Sequence, residues 1–132
     1  MEARGQDGLE EALRAGTVAG IKAFVMLGSP DLSTQTPLKR IAGFAANNRL
    51  PAISPFRWFA DAGGLMSYGP NLEDFYARVD GFIARILKGA KPGDLAIELP
   101  TKFELVINLK AAKALGLTIP QALRLRADEL IE

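Results

Sequence analysis

Between Gly20 and Gly28 lies a nearly unbroken apolar run, Ile21-Lys22-Ala23-Phe24-Val25-Met26-Leu27. A short run of this kind between glycines predicts a buried strand of a parallel sheet, because a strand covered on both faces dispenses with polar alternation. Parallel neighbours need crossover connections, and the flanking sequence supplies helical ones. Leu9–Ala15 predicts a short helix with Asp7 as N-cap and Gly16 as its stop. Thr36-Pro37 opens a second, with Pro at a first helical position, where its missing N–H costs nothing. Leu38, Ile41, Ala42, Phe44 and Ala45 then form one buried face, and Pro51–Ser54 reads as the next short strand. Helix, strand, helix, strand implies an α/β fold: a three-layer parallel sheet with flanking helices and right-handed crossovers.

The clearest single element follows. From Asn71 to Lys88, apolar residues fall at Leu72, Phe75, Tyr76, Val79, Phe82, Ile83, Ile86 and Leu87, one continuous helical stripe. Asn71 is the N-cap, Glu73 and Asp74 suit the positive end of the helix dipole, and Gly89 closes it. This stripe is wide enough to cover a sheet or a second lobe. Beyond the turn Lys91–Asp94, alternation predicts a strand over Leu95–Leu99 and another over Phe103–Asn108. Asn108 caps a short helix through Leu115 that Gly116 stops; Thr118 caps a last helix, and Ala127–Ile131 reads as a final strand.

Composition removes several function classes. The chain has 132 residues, which fits a single domain over 1–132. It has no Cys and no His, so thiol catalysis, His-dependent triads and zinc sites built on those residues are excluded. A net charge of +1 gives no electrostatic footprint for nucleic acid. There is no P-loop, no dinucleotide fingerprint and no nucleophile–base pair, so no cofactor, no metal and no enzymatic activity is expected. No apolar run is long enough to span a membrane, and MEARGQDGLEE lacks the basic-then-apolar pattern of an export signal.

Ser54–Gly69, SPFRWFADAGGLMSYG, departs from ordinary scaffold: it holds the only Trp, an aromatic-rich short helix, a Gly-Gly break and a short strand, Leu65–Tyr68. Ligands of parallel α/β sheets sit where strand ends meet glycine-rich loops.

GGLMSYGP at 63–70, ILKGAKPGDL at 86–95, PTKFELVINLKAAKALGLTIP at 100–120 and RADELIE at 126–132 resemble the C-terminal part of the ABC-transporter substrate-binding proteins of the tryptophan/tyrosine type. The resemblance implies one lobe of a type I periplasmic-binding-protein fold, a small-molecule solute (an amino acid in some members), an ABC permease partner, and a periplasmic or membrane-anchored location. It also implies that the N-terminal lobe and signal peptide precede the point where this sequence begins. The chain then reads as a C-terminal lobe plus return segment that binds solute weakly or not at all, and stays cytoplasmic if made as given. Apolar surface left by the missing lobe predicts a homodimer.

On that topology the expected ligand-binding residues are Ser29, Asp31, Ser54, Phe56, Arg57, Gly64 and Tyr68. Ser29 and Asp31 follow the first strand, where the alternative is a Gly-Pro turn capped by Asp. Phe56 would stack on a ligand ring and Arg57 would pair with a carboxylate; alternatively Phe56, Trp58 and Phe59 form core and Arg57 is solvated. Gly64 would admit close backbone approach, or simply follow a helix end; Tyr68 would be a rim or hinge group. A self-associating domain without ligand is the competing reading, and a small α/β enzyme is disfavoured.

Overall fold

A computed structural model describes residues 5–28 and 34–132. Its elements in chain order are α1 (Gly5–Val18), β1 (Phe24–Val25), α2 (Gln35–Asn47), β2 (Ala52–Ser54), α3 (Arg57–Asp61), β3 (Met66–Pro70), α4 (Leu72–Leu87), β4 (Phe103–Asn108), α5 (Leu109–Ala114), α6 (Gln121–Arg124) and β5 (Glu129–Ile131). The chain forms two compact units. One joins the described residues up to Gly69 to Glu104–Glu132; the other is Pro70–Phe103.

The first unit is built on a five-stranded sheet in the order β1-β2-β3-β4-β5. β1 and β2, β2 and β3, and β4 and β5 pair in parallel, which agrees with the α/β class read from the sequence. Val25, Ile53 and Met66 lie in one register row, and Ser54 is level with Ser67 in the next. Against this sheet α1, α2 and α3 share a core of Leu9, Met26, Leu38, Ile41, Ala42, Ala45, Ala52 and Phe59. The spacing of Leu38, Ile41, Ala42 and Ala45 puts them on one face of α2, and that face is the one buried.

Several sequence expectations are corrected. Of the apolar run Ile21–Leu27 only Phe24–Val25 is strand; Val25 and Leu27 are exposed while Met26 is buried. β1 is the outermost strand of the sheet and is covered on one face, so alternate residues of the run point to solvent. Leu95–Leu99 forms no strand, and Ile97 is 94% exposed. Alternation yields a strand only where a neighbouring strand accepts it and a layer covers its apolar side. The first helix runs through Gly16 to Val18, and the last is the four-residue α6, starting at Gln121 after Pro120 rather than at a Thr118 cap. Asp7 is not the N-cap, because α1 already starts at Gly5 and Asp7 lies within it. Expectations for Ser29–Asp31 fall outside the described residues.

The second unit is dominated by α4. The Asn71 side chain accepts the Asp74 N–H at 2.8 Å, as a capping Asn should. Gly89 (φ +101°) ends the helix in the left-handed region, where the Ala90 N–H reaches the Arg85 carbonyl at 3.0 Å. Within the unit, Arg78 binds the Thr101 hydroxyl at 2.6 Å and Arg85 faces Glu98 at 3.5 Å. No residue of α4 is buried.

Candidate functional site

The strands β1, β2 and β3 run the same way, so their carboxyl ends share one edge of the sheet. At β2 the chain leaves through Ser54-Pro55-Phe56. Ser54 is buried and its Oγ accepts the Phe56 N–H at 3.0 Å, a local turn that fixes the entry into α3. Phe56 is half-buried, packs on the core and stacks on Trp58 with ring centroids 6.3 Å apart. Gly28, at the end of β1, lies beside that ring: a Cβ there would sit 3.6 Å from Phe56 Cζ. Gly69, at the end of β3, is pressed against Pro55, and a Cβ would overlap the Pro55 carbonyl. Tyr68, one residue earlier, is 56% exposed. Three strand ends thus converge on one aromatic edge carrying Phe56, Trp58 and Tyr68, with Ser54 holding the turn.

Arg57 and Gly64 sit elsewhere. Arg57 starts α3 and turns to the carboxylates of β4 and β5: its Nη1 is 2.6 Å from Glu104 Oε1, its Nη2 2.7 Å from Glu129 Oε2, and its Nε 3.6 Å from Asp61 Oδ2. The hydrogen bond donated to Glu129 raises the guanidinium pKa most; partial burial opposes it, and the charges of Glu129, Asp61 and Glu104 add to it. A solute carboxylate at Arg57 would have to displace these partners. Gly64 precedes β3 and so lies at the opposite end of the strands from Ser54. Its missing side chain makes room for the Phe59 ring, which fills that space.

At Gly64 a cleft of about 290 Å³ opens, lined by Ala42 and Ala45 of α2, Leu65, and Lys110 and Ala111 of α5. Its floor is Asn108. That side chain is buried, accepts the Ala111 N–H at 2.9 Å and donates to the Ala60 carbonyl at 3.0 Å. The sequence marks Asn108 as a helix cap; the bond to α3 carries no local signal, because Ala60 is 48 residues away. Glu104 and Glu129 are missed for the same reason. Among the described residues no cluster of acidic side chains is arranged to hold a metal.

A family model described as ABC transporter substrate binding protein matches residues 9–131. The chain belongs to that family. It is a family of substrate-binding proteins rather than of enzymes, and the α/β fold described above is found again in solved structures. A conserved domain protein from Vibrio cholerae superposes with a TM-score of 0.86 at 23% identity, covering 96% of this chain and 42% of that one. An ABC domain in complex with L-Trp from Streptococcus pneumonia gives 0.79 at 25% identity, covering 93% and 43%. A ligand-free, open substrate-binding protein with adhesive properties from Clostridium difficile gives 0.63 at 17%, covering 95% and 41%. The chain therefore spans less than half the length of each structure. No curated protein matches it. No helix among the described residues is long and apolar enough to cross a membrane.

Proposed function

We propose that this chain supplies one wall of the solute cleft of an ABC importer's binding component, with an aromatic amino acid as the solute and a membrane permease as the recipient, in the periplasm or anchored to the membrane. The observation that carries this reading is the family match over 9–131, with a relative that holds L-Trp at 25% identity. The convergence of Gly28, Ser54, Phe56 and Tyr68 at the strand ends supports the location, since open α/β sheets bind ligands at the carboxyl ends of their strands. Phe56 and Tyr68 offer rings to an aromatic solute, with Ser29 and Asp31, which follow Gly28 in sequence, as candidates for its polar end.

Titrating L-Trp, L-Tyr and L-Leu into isotopically labelled protein tests this. Amide shifts confined to Gly28, Phe56, Trp58 and Tyr68, larger for the aromatic solutes and with weak affinity, are expected. Shifts centred on Ala45 and Ala111 instead would move the site to the other end of the strands, and no response to any amino acid at millimolar concentration would remove the solute assignment. The 132-residue chain is further proposed to be a homodimer, with exposed apolar side chains such as Tyr76 and Leu87 available for a second copy to cover.

A further inference from the structure

Gly69 is a glycine that neither a turn nor a left-handed backbone accounts for. It lies inside β3, it is buried, and it is not among the glycines with positive φ, Gly20, Gly63, Gly89 and Gly116. A glycine weakens a strand, and one placed there marks a close approach by another backbone. That backbone is Pro55. A Cβ on Gly69 would overlap the Pro55 carbonyl oxygen and come within 2.8 and 3.0 Å of the Pro55 carbonyl carbon and Cα. All three are main-chain atoms, so no change of rotamer makes room. Ser54 is level with Ser67, so the chain leaving β2 crosses the end of β3 at Gly69. Pro55 leads directly into Phe56, whose backbone is held on both sides. Its N–H donates to Ser54 Oγ at 3.0 Å, and its carbonyl accepts the Phe59 N–H at 3.0 Å. Its ring lies between Trp58, stacked with 12° between the planes, and Gly28, where a Cβ would be 3.6 Å from Cζ.

We propose that Gly69 is a positioning residue of the solute site: by carrying no side chain it lets the Pro55 peptide sit on β3, and that seat sets where the Phe56 ring stands before any solute arrives. The role rests on the solute reading above and falls to a residue that need not touch the solute. A link whose only task was to join β2 to α3 could pass β3 at ordinary side-chain distance. The missing side chain instead draws Phe56 in toward the ends of β1 and β3, where Gly28 and Tyr68 lie. A ring fixed in advance need not be immobilised on binding, which is how a preorganised site gains affinity. Ser54 serves the same seat from the other side, since its Oγ holds the first N–H after Pro55.

Gly69→Ala in isotopically labelled protein tests this. The chain has one Trp, so the indole N–H signal of Trp58 is unambiguous and reports on its stacking partner. In Gly69→Ala that signal should move before any solute is added, with an unchanged far-ultraviolet circular dichroism spectrum. The dissociation constant for L-Trp, followed at the amides of Gly28 and Tyr68, should rise about tenfold or more. Ile41→Val thins the core under α2; it should lower the urea midpoint and leave both readouts alone. Should Gly69→Ala fail to fold, Ser54→Ala releases the same turn more gently. It should move the Trp58 signal and weaken L-Trp by a smaller factor, about threefold. A folded Gly69→Ala, or Ser54→Ala in its place, with the unsubstituted protein's Trp58 signal and affinity would overturn the positioning role and leave the solute reading standing. An equal loss of affinity in Ile41→Val would trace the effect to stability and overturn the role as well. An unsubstituted protein that answers no amino acid would overturn the solute reading, while the Trp58 signal would still decide whether Gly69 seats Phe56.

Discussion

α2 and α4 have nearly the same design and opposite fates. Each is an amphipathic helix that opens on an extended N-cap residue and carries an apolar stripe. α2 buries Leu38, Ile41, Ala42 and Ala45 in the core that it shares with α1, α3 and the sheet, whereas α4, with the longer and more aromatic stripe, buries nothing. An apolar stripe states that a helix needs a partner; it does not say that the partner is in the same unit. The pattern alone gives α4 the stronger claim to being core, so the difference lies in tertiary packing, not in propensity.

The largest expected contrast is in side-chain truncation. Phe59→Ala or Ile41→Ala should cost about 3–5 kcal/mol in urea unfolding, because each leaves a cavity in a packed core. Ile83→Ala on α4 should cost less than about 1 kcal/mol. Equal costs in a monodisperse sample would break the comparison and place a covering layer over α4. Next come the two capping asparagines. Asn108→Ala removes a buried hydrogen bond to the Ala60 carbonyl, which keeps only the Gly63 N–H, as well as the α5 cap, and should cost about 2 kcal/mol, whereas Asn71→Ala, a cap alone, should cost about 1 kcal/mol.

Two glycines should move in opposite directions. Gly64→Ala meets the Phe59 ring and should destabilise by about 1–3 kcal/mol. Gly81→Ala in the middle of α4 meets nothing within 4 Å and should stabilise by about 0.5–1 kcal/mol through helix propensity. A stabilising Gly64→Ala would mean that Phe59 yields easily, contrary to a close-packed core. The smallest effect is expected at Arg57. Its partners are largely at the surface, so Arg57→Gln should cost no more than about 1 kcal/mol, and less in high salt. Its raised pKa makes the ion pairs' contribution through the guanidinium complete below the ordinary arginine range and lost only as pH climbs through the raised value, so neutral-pH stability should not respond to that group.

What the sequence revealed is what short-range chemistry decides. The Asn71 and Asn108 caps, the left-handed Gly89 and Gly116 stops, the extent of α4 and the strand Phe103–Asn108 all stand where local pattern puts them. The strand expected over Leu95–Leu99 fails because alternation says nothing about who stands beside it. The run Ile21–Leu27 narrows to Phe24–Val25 because edge position is a property of the whole sheet. At the candidate site, composition set Ser54–Gly69 apart from the surrounding scaffold, but it could not separate the two ends of β2 and β3. Ser54 and Phe56 share the carboxyl edge, Gly64 belongs to the amino end, and Arg57 is drawn aside by Glu104 and Glu129, partners that no local spacing reveals.

The sheet of the first unit is discontinuous in sequence, because Pro70–Phe103 is inserted between β3 and β4. A protease cut in the exposed stretch around Ile97–Leu99 would therefore leave no part of that sheet's pairing severed. The two pieces would stay joined by the Asn108 N–H on the Leu65 carbonyl and by Arg57 on Glu104 and Glu129. Separated and mixed again, they should reassemble as complementing fragments, at the cost of a lost covalent tether rather than of any contact in the sheet.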